Sequence, residues 1–372
     1  MKSELHVIII WQNARYQEKK IIEDIAKSFI IKSKYLITWS EKKAYENMSR
    51  FYAIKSRYAK QKLKHCGDGE FVLLVVEDQS PKYEIRTTSD GDVKVNINLF
   101  DKKALYRKWT GGGHKIHTTN TTIETSHNLA MIFGMTDAEY QTSLDNESKE
   151  YVLNQDLIGS DGWDSFEALF KVLNNTLEYV VLRNFEGFFD NIEFDEHLDI
   201  DLLVRNYKEA KLVLNSQLKY PYTERIVNQV LVAGKLVDFD LRSVSDGYMS
   251  SKWANDILKD RTLFNGYFRP NEFNYFYSLL YHAKIHKEKI SNDYLLRFEN
   301  LSLKIGLDLF DVNSAKLQLL RYMKEFEYDF SEPNDMSVYY NKKEFDLEVS
   351  KKRKFILLNR KFRSLIKKLL FR

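Results

Sequence analysis

Two short stretches carry the residue types of metal and phosphate chemistry. In His197-Leu198-Asp199-Ile200-Asp201-Leu202-Leu203-Val204 and again in Val237-Asp238-Phe239-Asp240-Leu241-Arg242, aspartates alternate with apolar residues. Alternation and β-branched content predict strands, and residues two apart on a strand project from one face. Asp199 and Asp201 therefore point together, and so do Asp238 and Asp240. Side-by-side carboxylates repel unless a cation lies between them. Mg²⁺, or Mn²⁺ in its place, held by one or two carboxylates plus substrate phosphates answers that need. Such a centre serves phosphoryl or nucleotidyl transfer, which asks a protein mainly for positioning and charge neutralisation. The same alternation also suits a half-solvated edge strand, so the surrounding elements must weigh the two.

A helix is predicted from about Trp163, with Phe166, Leu169, Phe170, Leu173 and Leu177 at helical spacing. Tyr179-Val180-Val181-Leu182-Arg183-Asn184 then reads as a strand, followed by Phe185-Glu186-Gly187-Phe188 and the first acidic strand. A helix over about Lys208–Leu218 and further strand leads to the second acidic strand. Strand, loop, Asp-x-Asp strand, helix and a later Asp-bearing strand resemble the DNA polymerase β-like nucleotidyltransferase fold over about residues 165–300. The resemblance implies that Asp199 and Asp201 hold metal and that Asp240 completes the triad and can accept the acceptor's proton. Asp238 shares a face with Asp240 and competes for the third place. Where that family carries a Gly-Ser turn, this chain has Arg183, whose guanidinium suits a bidentate phosphate contact. Arg242 is a further phosphate-binding candidate. On a following helix His282 and His286 lie one turn apart, offering polarity toward an acceptor, with Lys287 toward a phosphate.

The first third opens with the strand candidate Val7-Ile8-Ile9-Ile10-Trp11 and a helix from Gln17 to about Phe29. A strand at Tyr35–Trp39, a helix from Ser40 to Tyr52 and a strand at Glu70–Glu77 follow. The β-α-β-α-β order predicts a ferredoxin-like α/β sandwich. Phe51-Tyr52, Arg86, Arg107 and His114-Lys115-Ile116-His117-Thr118-Thr119-Asn120-Thr121 before a helix with Glu124 resemble a nucleoside diphosphate kinase over about residues 5–135. By that resemblance His117 carries the phosphoryl group, and Tyr52, Arg86, Arg107 and Asn120 lie at the nucleotide phosphates or the histidine. A neutral imidazole can attack phosphorus, with arginines stabilising the developing charge. The first strand ends in Trp11-Gln12-Asn13 where that family has Lys-Pro-Asp.

The resulting expectation is an α+β protein: a ferredoxin-like, nucleoside diphosphate kinase-like domain over 1–135, a linker over 136–162, a nucleotidyltransferase-fold domain with a helical C-terminal part over 163–330, and a basic tail over 331–372. Ten Lys or Arg and no acid lie in 351–372, so the net charge of +4 leaves −6 for the remainder. This distribution argues against a nucleic-acid partner. Phe355, Leu358, Phe362, Leu365, Ile366 and Leu369 recur at helical spacing against Arg360, Lys361, Arg363, Lys367 and Lys368. Such a helix suits an anionic membrane surface; docking on the acidic body or on a partner suits it equally. One cysteine, Cys66, and no charged-then-apolar opening predict a cytoplasmic protein; the membrane reading of the tail would make it peripheral at the inner face. The expected activity is metal-dependent nucleotidyl or phosphoryl transfer from an NTP or nucleotide-activated donor, to a glycan or lipid-linked sugar of cell-surface polysaccharide synthesis. A toxin or defence protein that nucleotidylates RNA or protein is the alternative, as is a non-catalytic nucleotide sensor.

Overall fold

The computed structural model describes residues 3–88, 91–143, 149–185, 199–221, 226–356 and 358. The chain is α+β and divides into two units, one holding Met1–Thr176 and the other most of the remaining chain.

In the first unit the order is β1 (Glu4–Ile10), α1 (Glu18–Ile25), β2 (Ile30–Thr38), α2 (Ala44–Phe51), α3 (Ser56–Cys66), β3 (Phe71–Asp78), β4 (Tyr83–Thr88), β5 (Gly91–Asn96), α4 (Ile97–Trp109), β6 (Ile116–Thr118), α5 (Thr122–Phe133), α6 (Asp137–Ser143), β7 (Lys149–Asn154) and α7 (Phe166–Thr176). The main sheet runs β6-β1-β3-β2-β7. β1 is antiparallel to β3 and to β6, with Ile9 opposite His117. Period-two alternation splits this sheet into two buried faces. Ile8, Ile10, Val72, Leu74, Val76 and Ile116 pack against Ile21 and Ile25 of α1 and Leu99 and Tyr106 of α4. On the opposite face Trp11 gathers Phe71, Trp39 and Phe51 at ring distances of 4.6, 5.4 and 6.5 Å. Asn96 caps α4 by accepting from the backbone of Asn98 and Leu99, and Thr121 caps α5 by accepting from Glu124.

Three features depart from the sequence reading. The expected linker over 136–162 contains α6 and β7, and β7 extends the sheet in parallel with β2. Its side chains are mostly exposed, so no apolar alternation marks it; Tyr151 stacks on Tyr35 at 5.0 Å. Next, α7 packs on α5 in the first unit rather than opening the second domain, with Phe166, Leu169, Phe170 and Leu173 buried. Finally, α3 lies where no helix was expected, because only Ala59 and Cys66 of its residues are buried.

The second unit is built on β8 (Tyr179–Val181), β9 (Asp199–Val204), α8 (Tyr207–Val213), β10 (Gln217–Leu218), β11 (Asn228–Val232), β12 (Lys235–Ser243), α9 (Ser251–Lys259), β13 (Thr262–Phe264), β14 (Tyr267–Arg269), α10 (Glu272–Ile285), α11 (Asn292–Lys304) and α12 (Ala315–Glu325), with the last residues of α8 and β11 and the first of β12 belonging to the first unit. Its sheet runs β10-β11-β12-β9-β8. β8 is antiparallel to β9, whereas β9 and β12 are parallel. α10 is buried almost all round and α11 and α12 pack on it; Tyr277 and Tyr322 stack at 3.7 Å.

The tail does not start as an appendage at 331. Asn334 N–H donates to the Asp246 carbonyl at 2.7 Å, and Arg353, only 3% exposed, donates to the Pro333 and Val338 carbonyls. Uncapped backbone and a buried guanidinium need such partners. Most of the amphipathic helix expected there, and with it the membrane-surface reading of 351–372, lies outside the described residues. Among the described residues no helix is long and apolar enough to cross a membrane.

Candidate active site

β9 and β12 are neighbours in unshifted register, Asp199 beside Asp238 and Asp201 beside Asp240. In a parallel pair such partners share a face, so all four carboxylates crowd one side of the sheet. They line a cavity of about 730 Å³ with Arg183, Arg242, Tyr248, His282, His286 and Lys287, entirely within the second unit. The apolar partners Ile200, Leu202, Phe239 and Leu241 are buried, which holds the strands while the acids face the cavity.

Each acid has its own surroundings. Asp201 is 2% exposed and pairs with Arg183 through one oxygen. Burial pushes its carboxyl up to about 7; Arg183 opposes this, and Asp240 and Asp199 add to it. Asp199 has no partner among the described residues, and burial and then Asp240 raise its pKa. Asp238 is occupied at both oxygens, by Lys219 at 2.6 Å and Gln229 at 2.9 Å. Asp240 accepts from Arg242 at 2.6 Å through Oδ2, while its Oδ1 is buried with no hydrogen-bond partner. An orphaned buried carboxylate oxygen is costly.

Two arginines thread this cluster. Arg183 donates to Asp201 and, at 3.1 Å, to the Tyr248 hydroxyl. Although burial works against its charge, Asp201 and Tyr248 hold the Arg183 pKa above its ordinary value. Arg242 bridges Asp240 and Asp335, the latter at 3.3 Å, with its guanidinium 4.8 Å from the Tyr248 ring centre. The Tyr248 hydroxyl also shares a 2.5 Å hydrogen bond with His282 Nδ1. Burial, then Arg183, keeps His282 neutral well below the usual histidine range. His286 lies under the Tyr248 ring at 4.2 Å and meets the Tyr248 carbonyl at 2.8 Å.

Tyr248 and Asp335 were not singled out as site residues in the sequence. Gly247 precedes Tyr248 at φ +73, and a Cβ there would meet the Glu332 carbonyl oxygen at 2.3 Å. This close backbone passage, open only to glycine, brings Asp335 to Arg242 across 93 positions. The Asp-Gly-Tyr turn was a visible signal for the first; nothing local marks the second.

In the first unit, His117 is 8% exposed and lies edge-on to Phe51 and Tyr52, each at 5.5 Å. Asn128 Nδ2 meets its Nε2 at 2.9 Å, so the ring's lone pair is already engaged. Burial, then Lys103, Lys62 and Arg107, drives its pKa well below the usual range. Burial also lowers Lys62 and Lys103 to about 8. Lys62 sits 3.1 Å from the Tyr52 ring centre, Arg107 donates to the Ile116 carbonyl at 3.1 Å, and Lys103 donates to Asn120 at 2.6 Å. Tyr52, Arg107, Asn120 and His117 are thus drawn together. Arg86 is not: on the β4–β5 hairpin it pairs with Glu84, because that hairpin is separate from the main sheet.

No family model matches the chain, and no curated protein matches it either. Among the described residues no three His, Cys, Asp or Glu side chains form a ready cage for a metal. The donor chemistry nevertheless fits a hard cation, which takes oxygen ligands: among the described residues Asp199 is unpartnered, and Asp201 and Asp240 each give only one oxygen to an arginine.

Proposed function

We propose that the second unit is a metal-dependent nucleotidyl- or phosphoryl-transferase using an NTP or nucleotide-activated donor. The observation that carries this reading is the in-register pairing of Asp199–Asp238 and Asp201–Asp240 beside Arg183 and Arg242 in one cavity. The strand order around them agrees with the nucleotidyltransferase resemblance. In the first unit the β6-β1-β3-β2 order supports the ferredoxin-like reading.

Asp199, Asp201 and Asp240 would hold Mg²⁺ or Mn²⁺, which when bound neutralises phosphate charge and orients the donor. Asp240 is favoured over Asp238 because Lys219 and Gln229 already satisfy both oxygens of Asp238. Arg183 and Arg242 hold two forks of donors beside the carboxylates, suited to phosphate oxygens. Tyr248 anchors both guanidiniums and limits their freedom, so less order must be imposed on binding. Asp240, whose Oδ1 Arg242 leaves free, would also accept the proton of an attacking hydroxyl. His117, buried and engaged by Asn128, is poorly disposed to attack phosphorus, so we assign transfer to the second unit.

The test is turnover of radiolabelled NTPs with Mg²⁺ by wild type, Asp199→Ala, Asp201→Ala, Asp240→Ala and His117→Gln. Each aspartate change is expected to lower turnover by about 10²-fold or more, and His117→Gln to leave it within a few-fold. Turnover indifferent to the aspartates would sink the assignment. Label retained on the protein and lost only in His117→Gln would move the chemistry to the first unit.

A further inference from the structure

At Arg183-Asn184-Phe185 the chain crosses from one cavity to another. Arg183 lines the acidic cavity, Asn184 lines both, and Phe185 lines a second cavity of about 1020 Å³. Asn184 makes this crossing in the left-handed region, at φ +60, and Arg297 donates to its side chain at 2.9 Å. All of these residues belong to the second unit.

The second cavity has the chemistry of an anion site. Arg269, Arg297 and Lys304 line it against one carboxylate, Glu272. The Arg269 guanidinium lies 4.6 Å from the Phe264 ring centre and 5.6 Å from that of Phe185. Its terminal nitrogens are fixed on Glu272, at 2.6 and 3.0 Å. Its Nε is buried with no partner among the described residues, an unmet donor of the kind that ligand oxygens satisfy. Lys304, exposed at the end of α11, makes no hydrogen bond or ion pair among the described residues.

We propose that this cavity binds a phosphate group carried by the acceptor, whose hydroxyl then reaches the acidic centre past Asn184. The inference rests on the transferase reading and adds a substrate class to it: the acceptor is a phosphorylated molecule. Arg269 supplies a fixed donor between two rings, Arg297 is held by Asn184 and Asp293, and Lys304 supplies mobile charge at the rim. The acidic cavity would be taken by the donor's phosphates, which leaves the acceptor's phosphate to the neighbouring cavity.

Calorimetric titration of the full chain with inorganic phosphate and with glycerol 3-phosphate tests this, with a non-hydrolysable NTP analogue and Mg²⁺ present throughout. The affinity for both probes is expected to fall about tenfold in Lys304→Ala and further in Lys304→Glu, with rescue in Lys304→Arg. Arg269→Gln should weaken binding similarly, while Arg86→Ala, on the separate β4–β5 hairpin, should leave it unchanged. Flotation on phosphatidylcholine vesicles with and without phosphatidic acid separates the two sources. Binding that depends on Lys304 and on phosphatidic acid identifies a lipid phosphate, and Lys304-dependent binding of the soluble probes alone identifies a free phosphorylated acceptor. Affinities indifferent to Lys304 and Arg269 overturn the proposal. Lys304 is exposed, so its variants keep the fold. The transferase reading fails separately, through turnover indifferent to the aspartates.

Discussion

Around His117 the buried ionisable groups are nearly all bases, whereas around Asp201 acids and bases alternate. Lys62, Lys103, Arg107 and His117 crowd one another; burial lowers the pKa of each, and neighbouring cations add to this at Lys62, Lys103 and His117. In the second unit every buried arginine of the cavity meets a carboxylate, and Arg183 and Arg242 are held charged despite burial. Burying like charges together weakens their hold on protons, and burying opposite charges together strengthens the basic partner's. The first cluster is therefore closely packed, with a neutral His117 beside weakened cations. The second keeps fixed charge beside an open cavity, and that is the condition for binding a polyanion.

The largest expected effect comes from removing one half of a buried pair. Arg183→Met leaves Asp201 uncompensated and should destabilise the protein by about 3–5 kcal/mol in urea unfolding at pH 8, above the Asp201 pKa of about 7. A loss below about 1 kcal/mol would mean that the pair is solvated and the contrast with His117 is overstated.

The two clusters should also respond to pH in opposite directions. His117 stays neutral in the fold, while unfolded chain takes up a proton below about 6.5. Its contribution to stability is therefore lost as pH falls below that value. Asp201 keeps its proton in the fold up to about 7, whereas an unfolded aspartate releases it near 3.8. Its contribution is present below about 4 and is lost as pH rises toward 7. With divalent metal removed by EDTA, urea unfolding should show wild type losing ground to Asp201→Asn as pH rises through this window. Against His117→Gln it should gain ground. Each slope is at most about 1.4 kcal/mol per pH unit, and slopes of the same sign would break the comparison.

A smaller effect is expected at Asp335, which shares Arg242 with Asp240. Asp335→Asn should destabilise by about 1–3 kcal/mol, measured by the shift in thermal midpoint, and should weaken donor binding by freeing Arg242. The smallest belongs to Arg86, whose exposed pairing with Glu84 predicts a change within about 0.5 kcal/mol for Arg86→Ala, and no change in turnover.

Much of the second site could be read from alternation alone, because period two puts Asp199 with Asp201 and Asp238 with Asp240 whatever else the chain does. The parallel, unshifted pairing of the two strands was not legible, nor was Lys219 and Gln229 closing off Asp238 while Asp240 kept an open oxygen. Those depend on which strands become neighbours. In the first unit, buried strands such as Val72–Val76 announced themselves by unbroken apolar runs. β7 and α3 did not, since each covers an edge or a flank with few buried side chains and leaves almost no periodic trace. Arg86 and Arg107 looked equivalent in sequence; only the separate β4–β5 hairpin removes the first from the cluster.

The sequence by itself determined which faces carry acid and which carry the core, since side-chain direction along a strand is a local property of L-residues. It also determined the turns, caps and glycines that permit sharp passages, Gly247 among them. Only the tertiary structure decided which charges meet. Arg183 with Asp201, Arg242 with Asp335, and Asn184 with Arg297 are pairings across distant positions. They are selected by the requirement that buried charge find a partner, and local sequence has no means of stating that partner's address.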